Sequence, residues 1–166
     1  MDFLQYFERF EQTIEIEQAK FFLTMLCSML PVVELRGGIP FGTALGLRPF
    51  GAFCAAVIGN MLPIPFLIRF TRRIFHWLRT HVPALETIIG RLETRANEKR
   101  ELVNKYKFWG LLILVAIPLP GTGAWTGALV AACMGMKLRQ ALPAIFVGVL
   151  IAGGLVSAVT LGLIAI

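Results

Sequence analysis

Apolar positions in this chain fall into two long blocks, roughly 21–70 and 108–166. A basic polar stretch separates them, and an acidic amphipathic stretch precedes them. Both blocks share one rhythm. A short apolar run (Phe21–Leu30; Leu111–Ile117) meets a Pro/Gly-rich interruption, and a second short run follows (Ile39–Leu47; Ala128–Met136). After a turn with basic residues comes a long apolar stretch, Phe50–Phe70 in the first block and Ala141–Ile166 in the second. About 20 helical residues cross the hydrocarbon of a bilayer, so each long stretch predicts one full span. The short runs cover only half that depth. Two of them joined at a break predict a re-entrant hairpin, whose irregular tip is tolerated only if buried in protein or lining a water-filled cavity.

The rhythm is also a register. An offset of 89 positions sets Pro31 on Pro120, Gly38 on Gly127, Gly46 on Gly135, Ala52 on Ala141, Ala55 on Ala144 and Gly59 on Gly148, with no gap. Such residues set backbone geometry, so the coincidence points to a duplicated unit. A hairpin plus one span crosses the membrane once per copy, so the copies must be oppositely oriented, the inverted-repeat plan of many transporters. The predicted fold is an all-α integral membrane protein forming a single membrane domain. It comprises an amphipathic N-terminal helix over 1–20, a first repeat over 21–70, an amphipathic basic connector over 71–107 and a second repeat over 108–166. Pro63 and Pro65 are expected to bend the first span or end it, and Asn60 to bond across helices. The small-residue stripes Gly51, Ala55, Gly59 and Ala144, Gly148, Ala152 read as helix packing.

Composition narrows the classes. Hydrophobic residues make up 57% and charged residues 16% of the 166-residue chain, too oily and too sparsely charged for a soluble domain. The net charge of +6 lies beside apolar blocks, as near anionic lipid headgroups, and no nucleic-acid module accompanies it. Basic residues crowd the central segment, where Arg69, Arg72, Arg73, Arg79, Arg91 and Arg95 are among them, which predicts a cytoplasmic connector by the positive-inside rule. Hairpins keep Lys137 and Arg139 on that same face. The rival topology, with Phe21–Pro40 and Trp109–Leu129 each crossing whole, exports them. Residues 1–20 are too acidic for a signal peptide. His76 and His81 flank Trp77 in the amphipathic connector, which reads as an interfacial position. Cys27, Cys54 and Cys133 are odd in number and lie in apolar runs, so they read as small buried hydrophobes. No metal cluster, cofactor motif or catalytic set is visible, and an enzyme is not expected.

Candidate chemistry concentrates at the two interruptions. In P-V-V-E-L-R-G-G-I-P, residues 31–40, Glu34 and Arg36 are the charged residues between Phe21 and Leu47. Ionisable groups at membrane depth mark substrate or proton paths. Arg36 offers a planar, bidentate grip on phosphate or carboxylate, and Glu34 is the candidate proton carrier, or else a counter-ion for Arg36. Gly37 and Gly38 leave backbone N–H groups for an anion. The second interruption, P-L-P-G-T-G-A-W-T-G over 118–127, is uncharged but supplies Thr122, Thr126, the Trp125 indole and the close-approach glycines Gly121 and Gly123. Pro31, Pro40, Pro118, Pro120 and Gly127 are expected to shape the hairpins.

The motif pair E-L-R-G-G-I-P and P-L-P-G-T-G-A-W-T-G-A-L resembles the bacterial small multidrug export family, over nearly all of residues 20–166. That family looks like a distant relative of the DedA (VTT-domain) superfamily, and Arg36 with Pro40 and Gly46 is similar to the DedA Arg-x-x-x-Pro element. The resemblance implies facing re-entrant hairpins, flipping of polyprenyl-phosphate carriers, proton coupling and a bacterial inner-membrane location. Arg36 would then hold a phosphate and Glu34 handle a proton. The second hairpin departs from the DedA pattern in lacking any acid or arginine. The leading expectation is a transporter or flippase for an anionic lipid-linked phosphate. The alternatives are a proton-driven exporter of cationic drugs and a non-transporting membrane scaffold. Membrane lipid is the expected partner, and so short a chain is expected to act as a homodimer.

Overall fold

The computed structural model describes residues 3–71, 90, 91, 94, 108–119 and 121–164, with side chains described from residue 13 to residue 162. Most of the connector, with His76, Trp77 and His81, lies outside the described residues, as does Pro120. The described residues form helices and no strands. In order these are α1 (Phe3–Met29), α2 (Glu34–Ala44), α3 (Pro49–Met61), α4 (Phe108–Ala116), α5 (Ala124–Cys133) and α6 (Leu138–Ile164). After a turn at Leu62 and Pro63 the chain is helical again over 64–71, in keeping with the bend expected there. Pro49–Thr71 and Leu138–Gly162 are long and apolar enough to cross a bilayer.

The two breaks fall between α1 and α2 and between α4 and α5, so neither Phe21–Pro40 nor Trp109–Leu129 is a single helix. Two boundaries differ from the sequence reading. No break separates residues 1–20 from the first short run, because α1 contains no Pro or Gly to interrupt it. The helix after the first break starts at Glu34 rather than Ile39, which puts Gly37, Gly38 and Pro40 inside α2 and leaves residues 30–33 as the turn.

Glycine spacing explains how α2 lies on α1. Gly38 sits against Ser28, Gly42 against Thr24 and Gly46 against Lys20. Each step of four up α2 matches a step of four down α1, so the pair runs antiparallel, and the loop after α2 returns to the level of Lys20. On its other side α2 meets α3 through Gly42 with Ala52 and Gly38 with Ala56. These small contacts bring backbones close enough for dispersion to hold helices together where lipid supplies no hydrophobic drive.

Both halves close their second helix with the same cap. At the end of α2, Leu45, Gly46 and Leu47 donate backbone N–H groups to Phe41, Thr43 and Gly42; at the end of α5, Met134, Gly135 and Met136 donate to Val130, Ala132 and Ala131. Gly46 and Gly135 hold φ of 86° and 68°, the left-handed residue of a Schellman cap. Every donor and acceptor of one cap lies 89 positions from its counterpart. Packing repeats as well. α1, α2 and α3 pack on one another, as do α4, α5 and α6, and the halves meet through α3 and α6 and through α2 and α6. Gly38 touches Ala56 as Gly127 touches Ile145, while Gly59 and Gly148 press on the backbones of α1 and α4.

Large apolar side chains point outward from this core: Phe22, Leu26, Phe50, Phe66, Leu155 and Val159 among others. That much exposed oil on helices of spanning length suits lipid as the solvent. The close approach of Gly59 gives a direct test. A Cβ there collides with the Met25 carbonyl, whereas one on Gly51 meets nothing within 4 Å. Gly59→Ala is expected to lower stability by about 1–3 kcal/mol, and Gly51→Ala to leave it unchanged or slightly raised. Unfolding of the purified protein in detergent distinguishes them, and equal effects contradict this packing.

Candidate functional site

A helix break at membrane depth leaves N–H groups at one helix start and carbonyls at another helix end without partners. Here two side chains from the first turn of α2, just after the first break, meet those needs in the second. The Arg36 guanidinium donates through Nη1 to the Leu119 carbonyl, and through Nη2 to the Thr122 carbonyl at 2.7 Å and to Thr122 Oγ1 at 2.9 Å. Thr122 is the hub of its own loop: its hydroxyl also lies 2.7 Å from the carbonyls of Ile117 and Leu119 and accepts the Leu119 N–H at 3.1 Å. Arg36 therefore ties down a loop that already folds on itself.

Glu34 serves the other end. Its Oε1 accepts the backbone N–H of Trp125, in the first turn of α5, at 3.2 Å. No side chain caps α5 from within the break, so Glu34 acts as its cap in trans, a carboxylate at the positive end of the helix dipole. Glu34 is only 5% exposed. Its φ of 49° makes it the one non-glycine residue with positive φ among the described residues, at a cost of about 1–2 kcal/mol for a side chain with a Cβ. That strain aims the carboxylate at Gly123, where an added Cβ would run into both carboxylate oxygens. Gly123 itself has φ of 125°. Among the described residues Lys20 with Glu17 is the one ion pair. Glu34 and Arg36 do not pair with each other, so Glu34 is not a contact counter-ion for Arg36; each reaches across to the second break.

The remaining candidates divide. Pro118 joins Arg36 and Pro40 in lining a cavity of about 310 Å³, whose other walls are Leu155, Val156, Val159 and Thr160 of α6. Pro40, within α2, has no N–H for the Arg36 carbonyl. Pro31 sits in the first turn. Gly37 and Gly38 serve packing against Val33 and Ser28, and Gly127 packs on Val115 and Ile145; being inside helices, they do not present free N–H groups to a ligand. Gly121 has φ of 78° and open space above it. Thr126, half-buried on α5, makes no recorded side-chain bond to Arg36 or Glu34. The Trp125 indole nitrogen is buried without a partner. So are both side-chain atoms of Asn60, which does not make the cross-helix bond expected of it. Sequence reasoning missed the Leu119 carbonyl and the α6 wall. The alternation of Leu155, Val159 and Thr160 on one helical face was the signal for the wall, but nothing marked the carbonyl.

The Glu34–Gly123 contact predicts a measurable coupling. Gly123→Ala is expected to destabilise the protein by about 1–3 kcal/mol through its backbone alone, and further through the collision with Glu34. Adding Glu34→Gly removes the collision but not the backbone part, so the double variant is more stable than the single effects predict. A double-mutant cycle on unfolding in detergent measures it; strict additivity counts against the contact.

A family profile described as "Putative small multi-drug export protein" matches residues 34–155, from the start of α2 through the second break and into α6. No curated protein and no solved structure matches the chain. With two apolar helices of spanning length, the match identifies a membrane protein. It covers well over half of the 166 residues and holds both motifs, Glu34 to Pro40 and Pro118 to Gly127. The chain belongs to the small multi-drug export family.

Proposed function

We propose that this protein is a membrane transporter that moves an anionic, lipid-linked phosphate, with Arg36 as the phosphate ligand. The cavity beside Arg36 carries the proposal. Its one charged lining residue is Arg36, and the rest is Pro40, Pro118 and the aliphatic face of α6 with Thr160. Three hydrogen bonds occupy Arg36 out of five guanidinium N–H donors, which leaves donors for a ligand. A charged group and an oily wall suit a phosphate that carries a hydrocarbon chain.

The proposed architecture is two inverted repeats, each a re-entrant hairpin followed by a span. The antiparallel register from Ser28 with Gly38 to Lys20 with Gly46 supports entry and exit on one face. The matching caps, 89 positions apart, support duplication. In this reading the tips meet near mid-depth of a bacterial inner membrane, the connector 71–107 is cytoplasmic, and two chains form the working unit. The likeness to DedA proteins and the coupling to protons through Glu34 belong to the same proposal.

Reconstituted protein should carry a fluorescent short-chain polyprenyl phosphate between leaflets, read by quenching from outside. Arg36→Ala is expected to reduce the rate by about tenfold or more, as for losing charge-assisted bonds, with the protein still folded by circular dichroism. Undiminished transport by a folded Arg36→Ala protein removes Arg36 from the mechanism. The family description favours a second reading, multidrug export, for which we propose proton-driven export of cationic drugs with Glu34 as carrier. In that case Glu34→Gln abolishes drug resistance in cells, and an unchanged resistance profile counts against it.

A further inference from the structure

We infer that Glu34 is an internal stand-in for the transported anion: its carboxylate occupies the start of α5, and the phosphate of the substrate takes that place when it binds. This rests on the phosphate-transport reading above and deepens it.

Four observations converge on the seat. The carboxylate of Glu34 lies directly over Gly123, the N-cap of α5, and accepts the Trp125 N–H. It is therefore an anion already bound there, 5% exposed, and supplied by another part of the chain. Its backbone is held at φ of 49°, a conformation an unconstrained Glu leaves readily. Donors on the residues that form the clamp are not all taken up: the Trp125 indole N–H has no partner, and Arg36 bonds only to a hydroxyl and to neutral carbonyls. Finally, Arg36 lines the cavity walled by α6 and also bonds to Thr122, the residue before the N-cap of α5, so it links that cavity to the seat.

The duplication shows why a glycine faces Glu34. At the 89-position offset, residue 34 of the first copy corresponds to residue 123 of the second. One copy has a carboxylate at this position and the other has the space that receives it. Exchange with a phosphate keeps an anion on the helix terminus throughout, so the terminus is never left bare in a low-dielectric site. A phosphate monoester also brings more acceptor oxygens than Glu34, which suits Arg36 donors that the loop does not use.

The test is calorimetric, on the full-length protein in detergent, with farnesyl phosphate as the probe and farnesol and inorganic phosphate as comparisons. A competing carboxylate weakens anion binding, so Glu34→Gln is expected to bind farnesyl phosphate about tenfold more tightly than the wild type, with farnesol unaffected. Glu34→Gly provides the second variant: it removes the carboxylate, suits the positive φ, and gives the first break the residue that the second already has. If inorganic phosphate gains as much as farnesyl phosphate, the seat is borne out and its ligand is a free anion. If the wild type binds farnesyl phosphate but neither variant binds it more tightly, the stand-in role is overturned while the phosphate reading survives. If neither wild type nor variants bind any phosphate, both fall.

Discussion

Everything in this molecule turns on the satisfaction of backbone polar groups where two helices are interrupted. Each unpaired N–H or C=O in an apolar surrounding costs several kcal/mol, about as much as the net stability of a small domain. Two breaks brought together concentrate that cost. The sequence E-L-R addresses it with charges of opposite sign two residues apart. Arg36 takes carbonyls, which carry partial negative charge, and Glu34 takes an N–H at the positive start of a helix. Neither charge is neutralised by the other in contact, so both remain available to the opposite break. Bonds with one charged partner are worth about 1.5–3 kcal/mol each, more than neutral ones, which is how two side chains can stabilise the loop 117–123 between α4 and α5.

The two halves of the chain divide the work between them. Their frames agree down to the capping bonds around Gly46 and Gly135, and the first residues of α3 and α6, Pro49 and Leu138, stand at the same offset. At the tips they differ. At the 89-position offset Glu34 stands opposite Gly123 and Arg36 opposite Trp125, so the first half contributes side chains and the second contributes backbone. The divergence is complementary, since a second carboxylate at 123 would occupy the space into which Glu34 projects. Helix contacts tolerate little change in the frame because they rest on glycines pressed against neighbouring backbone, as at Gly59 and Gly148. The tips, where side chains meet loops, could vary.

Much of the frame was legible because Pro and Gly punctuate it. The 89-position register, both breaks and the two long helices follow from letters whose backbone consequences are strong. Boundaries were less so. Gly37, Gly38 and Pro40 read as a turn by composition, yet they lie in α2, because packing against Ser28 and Ala56 calls for small residues on a helix face. Gly42 completes that face at spacing four and passed unnoticed among leucines and alanines. For the site, the identity of Glu34 and Arg36 was evident from their isolation in an apolar block. Their partners were not, because Leu119 and Thr122 act largely through carbonyls and Trp125 through its amide. Every residue has these groups, so no letter announces them.

A clamp of this kind must also be able to open if the protein moves a substrate. Breaking the Arg36 and Glu34 contacts outright would leave several backbone groups and two charges unpaired together, a cost that would hold the tips shut. An exchange avoids the problem. In the proposed exchange, a phosphate in the cavity walled by α6 would bind Arg36 and replace the Glu34 carboxylate on α5. The released Glu34 relaxes from a strained backbone angle, which offsets part of its re-solvation. Selectivity then follows from the same balance. Only a ligand that is anionic and multiply accepting, with a hydrocarbon part to fill the cavity beside Leu155 and Val159, keeps every group satisfied while the tips part. On this proposal a neutral lipid would not open the clamp, because it would leave the start of α5 bare.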